Sequence, residues 1–460
     1  MEESDMNFAK IDGYLTDHLD ASLEELKALC RVPSVAAQNI GLDEGAEVVS
    51  ALLKKRGFVA EIIQTDGAPV VYAERKGKAD KTLLFYNHYD VQPAEPLELW
   101  QSPPFEPEVR DGKMYARGVS DDKGHITNRL FAIDAILDDI GELPCTIKFV
   151  IEGEEEIGSV HMAEIVRDNV DKFAADACVW EFGAVDYREV PMQYTGLRGI
   201  CYVELEVETA TIDAHSGLGG TIFPNAAWRL VWALNTLKGE DERIRIPGYY
   251  DNVVPPSDLD RELFAALPDM ADEYRARYGV KGFLKGTLGG AELHIQETLE
   301  PSCTICGITT GYQGPGSKTV LPAKASAKVD FRIVPNQTPE EVVAKLRAHL
   351  DAEGFDDVQV RMLGGEAAGR TDPAHPFIKL VVDSSEEIYE NKMEIVPMVG
   401  GSGPNHAFIH YLKVPVATQG VGYPGTQAHA PNENMRIDLY HKSARHVVRI
   451  IDEFARNYPV

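Results

Sequence analysis

No apolar run in the 460-residue sequence approaches the roughly 18 residues that a transmembrane helix needs, so a membrane-spanning protein is not expected. The opening residues, MEESDMNFAKI, have neither the basic nor the apolar region of a secretory signal. Positive charge is scarce: 45 Lys and Arg stand against 73 Asp and Glu, for a formal net charge of −28. Nucleic acid and anionic membrane are polyanions, and neither is an expected partner. Cysteine is sparse, with six residues at 30, 145, 178, 201, 303 and 306 in no disulfide-framework spacing. The expectation is a reduced, cytoplasmic chain. Cys303-Thr-Ile-Cys306 has the bare spacing of a metal pair, but it lies in a strand-like run. Residues three apart on a strand point to opposite faces, so zinc is not expected there. Internal repeats and low-complexity segments are also missing.

What is present is an ordinary globular composition, 44% hydrophobic and 26% charged, in a chain long enough for two or three domains. The first part alternates helix and strand patterns. AEVVSALLKKRGF has Val49, Leu52 and Leu53 at helical spacing and Gly57 as its stop. KTLLFYNHYD and CTIKFVI read as buried strands, with a helix between them over HITNRLFAIDAILDDI that aligns Ile126, Leu130, Ile133 and Leu137. Continuous apolar strands separated by helices predict an α/β sheet covered on both sides.

Near residue 195 the pattern changes. YVELEV puts Val203, Leu205 and Val207 on one face and Tyr202, Glu204 and Glu206 on the other, and AKVDFRIV alternates likewise. Such sheets are covered on one side. Helices are predicted at NAAWRLVWALNTL and PEEVVAKLRAHL, the second opening on Thr338, Pro339 and Glu341 as a capping box. RYGVKGFLKGTLGGAELH is expected to be loop-rich. From about Pro376 helix–strand alternation resumes, ending in SARHVVRIIDEFARN. The expected organisation is an α/β domain over 1–194 and 374–460, interrupted by an α+β sandwich over 195–373.

The strand CTIKFVI runs straight into Glu152, Glu154, Glu155 and Glu156. A solvated acidic loop is one reading; metal ligation and proton transfer is the other. Four further stretches bear on the choice. His88 and Asp90 leave a strand end on one face, so a carboxylate can orient an imidazole whose other nitrogen binds metal. Asp121 and Asp122 precede a helix and could simply cap it. Glu181 closes an apolar run and either enters a cleft or marks the strand's exit. His429 lies in a loop, where a lone histidine is commonly a surface residue. All of them fall at, or just beyond, the carboxyl ends of predicted α/β strands, where open sheets place ligands. Histidines and carboxylates on one edge suit zinc with an open position.

In order, HYDVQP, RGVSDDKG, GEEEIGS, GLRGI, DAHSG, FRIVPN, GGSGPNH and AHAPNE resemble the dinuclear zinc hydrolases comprising dipeptidases, aminoacylases, succinyl-diaminopimelate desuccinylases and carboxypeptidase G. The likeness is greatest to the cytosolic carnosine-dipeptidase branch and extends over nearly the whole chain. It implies a zinc-peptidase-type catalytic domain with a mixed sheet, the insert serving as lid and dimerisation domain. It also implies two divalent ions per subunit, zinc with manganese or cobalt as alternatives. Asp121 would bridge them, His88 and Glu181 completing one and Glu156 and His429 the other, with a shared water. Asp90 would orient His88, and Glu155 would be the general base. Glu152 and Glu154 would support the site or face solvent. His215 would stabilise the oxyanion across a homodimer interface. Arg332 would clamp the substrate carboxylate, with Thr319 and Ser402 as further candidates.

Peptidases of this family usually have aspartate where Glu181 stands, and glutamate is more like the aminoacylase and desuccinylase branches. Asp186 is the alternative ligand if the loop shifts. The expected activity is hydrolysis of the amide next to a free carboxylate in dipeptides or short peptides. The alternative is an N-acyl-amino-acid deacylase. A catalytically silent binding protein of the same fold would not need Glu155 and Asp121, and both are present.

Overall fold

The structure, a computed structural model, describes residues 4–459. The chain divides into two compact units. One comprises the chain up to Thr195 with Arg370–Pro397 and everything from Pro404 on; the other comprises Gly196–Gly369 with Met398–Gly403.

The first unit is built on a six-stranded sheet in the spatial order Val59–Ile63, Val70–Arg75, Cys145–Glu152, Ala79–His88, Ala177–Trp180, Val416–Thr418. The last four run parallel and the first two pair antiparallel, so the sheet is mixed. Alternate residues of one strand feed two cores. Leu83 and Phe85 pack with Ile126, Leu130, Ile133, Val447 and Ile451 from the helices Lys123–Ile140 and Ile437–Asn457. Leu84 and Tyr86 pack with Met162, Val166, Trp180 and Phe408 on the other side. Every residue of Cys145–Glu152 is buried, which is why that run shows no alternation. The helix Lys123–Ile140 is buried beyond its apolar line, because Thr127, Asn128 and Arg129 are enclosed too. Arg129 donates to the carbonyl oxygens of Tyr86 (2.6 Å) and Trp180 (2.5 Å), tying the carboxyl ends of two strands together.

The second unit is an α+β sandwich. Its four-stranded antiparallel sheet has the order Ser302–Thr310, Lys324–Ile333, Gly199–Glu208, Gln359–Glu366. Cys201 pairs with Phe331, Val203 with Val329 and Leu205 with Ala327, all on the face covered by the helices Ala226–Leu237 and Pro339–Ala352. Thr338 caps the second helix by accepting from the Glu341 N–H at 3.2 Å. The expected capping box is only half present, because the Glu341 carboxylate turns to Lys345 (2.5 Å) and Asn252 (3.1 Å). Cys303 is buried and Cys306 exposed on one strand, and both are free thiols. The region expected to be loops ends in a helix, Gly290–Thr298, whose Ile295 packs with Phe264, Ala368 and Met398. Among the described residues no helix is long and apolar enough to cross a membrane.

Candidate metal centre

Parallel strands deliver their carboxyl ends to one edge of the first unit's sheet. His88 is the last residue of its strand and stands opposite Glu152, the last of the next. Glu181 directly follows Ala177–Trp180. Beyond Glu152 the chain turns through Glu155–Ile157, and Asp121 and Asp122 immediately precede the helix Lys123–Ile140. His429 arrives in a loop with a left-handed backbone, φ 61°.

The ligand atoms converge in two groups, each lying within 4.8 Å: His88, Asp122 and Glu181, and Asp121, Glu156 and His429. Asp121 lies between the histidines, with Oδ1 3.0 Å from His88 Nε2 and Oδ2 3.0 Å from His429 Nε2. His429 Nε2 is also 3.1 Å from Glu156 Oε2. Among the described residues, Asp122 is hydrogen-bonded through one oxygen only. Its Oδ2 accepts from Asn87 Nδ2 (2.6 Å) and the His88 N–H (3.1 Å), and its Oδ1 faces His125 Nδ1 at 2.7 Å. Glu181 Oε2 is buried with no hydrogen-bond partner among the described residues.

The electrostatics are those of crowded like charges. Burial, with the neighbouring charge of Glu155, pushes Glu181 well above the usual carboxylate range. Burial does the same to Glu155, and Asp121 and Glu156 add to it. Burial also works against Asp121, but the bonds from His429 and His88 outweigh it and hold its pKa down. Burial likewise opposes a charged His88, yet the bonds to Asp121 and Asp90 raise it well above the ordinary value. Contacts with Asp121 and Glu156 raise His429 to about 10. Carboxylates and imidazoles thus compensate each other where divalent cations would do so better. An orphaned buried oxygen on Glu181 and a carboxylate divided between two ring nitrogens fit metal ions at this edge.

Several residues support the candidate ligands; Asp90 was expected from the sequence, whereas the roles of Gln92 and Glu433 were not. Asp90 presents its backbone oxygen to His88 Nδ1 at 3.1 Å, with Oδ1 at 3.4 Å. Its carboxylate accepts the N–H groups of Glu155 (3.2 Å) and Glu156 (3.0 Å), so it anchors both glutamates by their backbone. Gln92 holds the Glu156 carboxylate at 2.8 Å. Glu433 is fully buried, pairs with Arg117 at 2.8 Å and accepts the N–H groups of Gly118, Ser120 and Asp121. It joins the Asp121 loop to the His429 loop. It closes the AHAPNE stretch, whose spacing alone does not show that its carboxylate turns back onto the Asp121 loop.

Two alternatives that the sequence left open are narrowed. Asp186 is unsuited to replace Glu181, because its carboxylate is bound by Arg188 (2.6 Å) and by the N–H groups of Arg188 and Val190. Glu152 and Glu154 are not solvated. Glu152 accepts from Tyr86 (2.6 Å) and Ser159 (2.9 Å), and Glu154 pairs with His161 (2.6 Å).

The remaining candidates belong to the second unit. His215 is exposed and pairs with Val320 in a short ladder, and the Ser216 N–H reaches the Thr319 carbonyl at 3.1 Å, which brings His215 and Thr319 close. Arg332 donates from Nη1 to Ser402 Oγ (3.0 Å) and from Nε to Asp330 (3.2 Å).

A mixed α/β sheet gathering histidines and carboxylates at its carboxyl edge defines an α/β protein with a candidate metal centre. The chain belongs to peptidase family M20/M25/M40, whose model matches residues 84–453. It is 34% identical to the M20 family metallo-carboxypeptidase Sso-CP2 from Sulfolobus solfataricus, with a TM-score of 0.87 over 94% of this chain and 99% of that one. It is 32% identical to Beta-Ala-His dipeptidase of Rattus norvegicus over 313 residues, 65% of this chain and 62% of the relative, so the match spans less than two thirds of that relative's length. Cys-Gly metallodipeptidase dug1 of Schizosaccharomyces pombe is 27% identical over 99% of this chain and all of its own. Membership implies divalent metal ions.

Proposed function

We propose that this chain is a divalent-metal-dependent peptidase that hydrolyses the amide bond of dipeptides or short peptides next to a free carboxylate. The observation that carries this reading is Asp121 facing His88 with one oxygen and His429 with the other, both at 3.0 Å. We assign one ion to His88, Asp121 and Glu181, and a second to Asp121, Glu156 and His429. Asp121 is preferred to Asp122 as the residue that would serve both ions, because its two oxygens reach both histidines while Asp122 Oδ2 is held by Asn87 and the His88 N–H. Zinc suits this donor set, with manganese or cobalt as alternatives. When bound, such ions polarise a carbonyl and lower the pKa of water.

Glu155 takes a proton from the attacking water and delivers it to the leaving amine. Asp90 keeps Glu155 and Glu156 in register through their backbone N–H groups and presents His88 with its ring oriented. Arg332 clamps the substrate carboxylate, with Ser402 fixing its guanidinium and Thr319 as an additional contact. His215 serves the oxyanion of a partner subunit in a homodimer formed through the inserted lid unit. An exposed apolar helix face, Trp228, Val231 and Trp232 at i, i+3 and i+4, supports that dimer. It lies on the helix that meets the edge strand Ser302–Thr310. Six unpaired cysteines fit a reducing, cytoplasmic setting.

The dipeptidase names of two relatives support the peptidase reading over the deacylase one. Metal analysis of the purified protein, with dipeptides assayed against N-acetyl and N-succinyl amino acids, tests the proposal. Metal-dependent cleavage of dipeptides is expected; cleavage of the N-acyl series alone would establish a deacylase.

A further inference from the structure

On the open face of the second unit's sheet, Ile200 stands between two charged neighbours. It pairs with Arg332 on one side and with Glu366 on the other. Directly paired residues of antiparallel strands project from the same face. The next pair, Cys201 and Phe331, is buried under the helices, so this row projects away from them. Two strand spacings set the Cα atoms of Arg332 and Glu366 roughly 10 Å apart. The row therefore reads cation, apolar floor, anion.

Arg332 is already engaged by Asp330 and Ser402. Glu366 is not comparably satisfied. Its Oε1 is buried without a hydrogen-bond partner among the described residues, as is Oδ1 of Asp330. Burial pushes Glu366 up to about 7 against the pull of Arg332. One guanidinium thus faces two carboxyl groups, each with an acceptor that lacks a donor. A substrate carboxylate placed on Arg332 adds a third acid to the cluster, and a positive charge from the substrate itself would balance it.

We propose that Glu366 is a specificity-determining residue that reads the side chain of the substrate's carboxyl-terminal residue and selects a cationic one, such as lysine. The inference rests on Arg332 being the carboxylate clamp. With the α-carboxylate held there, the side chain of the same residue lies over Ile200 and brings its ammonium to the half-buried carboxylate of Glu366. A leucine side chain fills the floor and leaves that carboxylate without a donor. A glutamate side chain meets two like charges.

The test compares kcat/KM of the holoenzyme and its Glu366→Gln variant on Ala-Lys, Ala-Leu and Ala-Glu. The wild type should prefer Ala-Lys to Ala-Leu by about 10-fold, as for one charge-assisted hydrogen bond, and should disfavour Ala-Glu further. Glu366→Gln should abolish most of the Lys preference, improve Ala-Glu and leave Ala-Leu within about threefold. An unchanged Lys-to-Leu ratio, or equal loss on all three substrates, overturns the role of Glu366 while leaving the peptidase reading intact. Failure of the wild type to cleave any of the three removes both. Product inhibition supplies a reading that needs no variant: free lysine should inhibit the wild type about 10-fold more tightly than free leucine, and equal inhibition overturns the proposal.

Discussion

Asp121 meets His429 at 3.0 Å through one carboxylate oxygen while its other oxygen lies 3.0 Å from His88. Each histidine belongs to a different ligand group, so a single side chain ties both halves of the centre together. His88 ends a strand at the sheet's edge, and His429 comes from a loop 308 residues beyond Asp121. The relationship of these residues is set by the backbone of the Asp121 loop, and that loop is held by Glu433.

Glu433→Gln keeps the shape of the buried side chain but removes the charge that binds Arg117 and the three N–H groups of the Asp121 loop. Metal affinity should fall by about 10–100-fold, as for other residues that orient ligands from behind. A chelator-competition titration checks this. Unaltered affinity in a folded variant would show that Glu433 supports the chain without positioning Asp121.

Metal uptake should release protons. The metal-free fold holds the His429 proton up to about 10, against 6.5 for an ordinary histidine. Its contribution to the stability of the metal-free chain is therefore fully present below 6.5 and is lost as pH rises through about 10. A ligating imidazole must be neutral, so binding at pH 8 displaces that proton. Titration calorimetry in two buffers of different ionisation enthalpy should report release of about one proton or more per chain. Equal heats in both buffers would contradict the assignment of His429 as a ligand.

Much of the fold was legible because burial leaves a periodic trace. The unbroken apolar run before Glu152 corresponds to a strand buried on both faces, and the alternation of Val203, Leu205 and Val207 to one covered on one face. The stretches holding His88, Asp121, Glu156, Glu181 and His429 were visible as polar residues ending apolar runs or clustered in short motifs, and they meet in the structure. Glu433 and Gln92 lie inside the AHAPNE and HYDVQP stretches, but their roles were not legible, because they act on backbone N–H groups or on another side chain through contacts that sequence spacing does not encode. The helix Gly290–Thr298 was hidden for a related reason: it starts at Gly289 with no side-chain cap. The capping box at Thr338 failed because Lys345, one turn on, takes the Glu341 carboxylate.

Arg332→Ala should cost most for substrates with a free carboxylate and little for their amides. Matched kcat/KM values on Ala-Leu and Ala-Leu-amide check this. A bidentate arginine–carboxylate contact makes a difference of about 10-fold or more the expected result. Equal losses would make Arg332 a structural partner of Asp330.

Mixing inactive His215→Ala with inactive Glu155→Gln subunits should restore activity if His215 serves the partner's site. Random exchange gives about half heterodimers with one working site in two, so roughly a quarter of wild-type activity is the ceiling for a two-fold dimer. No recovery after verified subunit exchange would assign His215 to its own chain or to a structural role.

On the proposed mechanism, one glutamate moves protons beside another that would hold metal. Glu155 is half-buried with its backbone N–H held by Asp90, and Glu156 faces His429 at 3.1 Å. The most direct test is metal content and dipeptide turnover measured together on Glu155→Gln. The variant should retain its full metal complement while kcat falls by about 10²–10⁴, the loss expected for removing a general base. Loss of metal from Glu155→Gln, with Glu156→Gln retaining it, would reverse the two roles and contradict the mechanism.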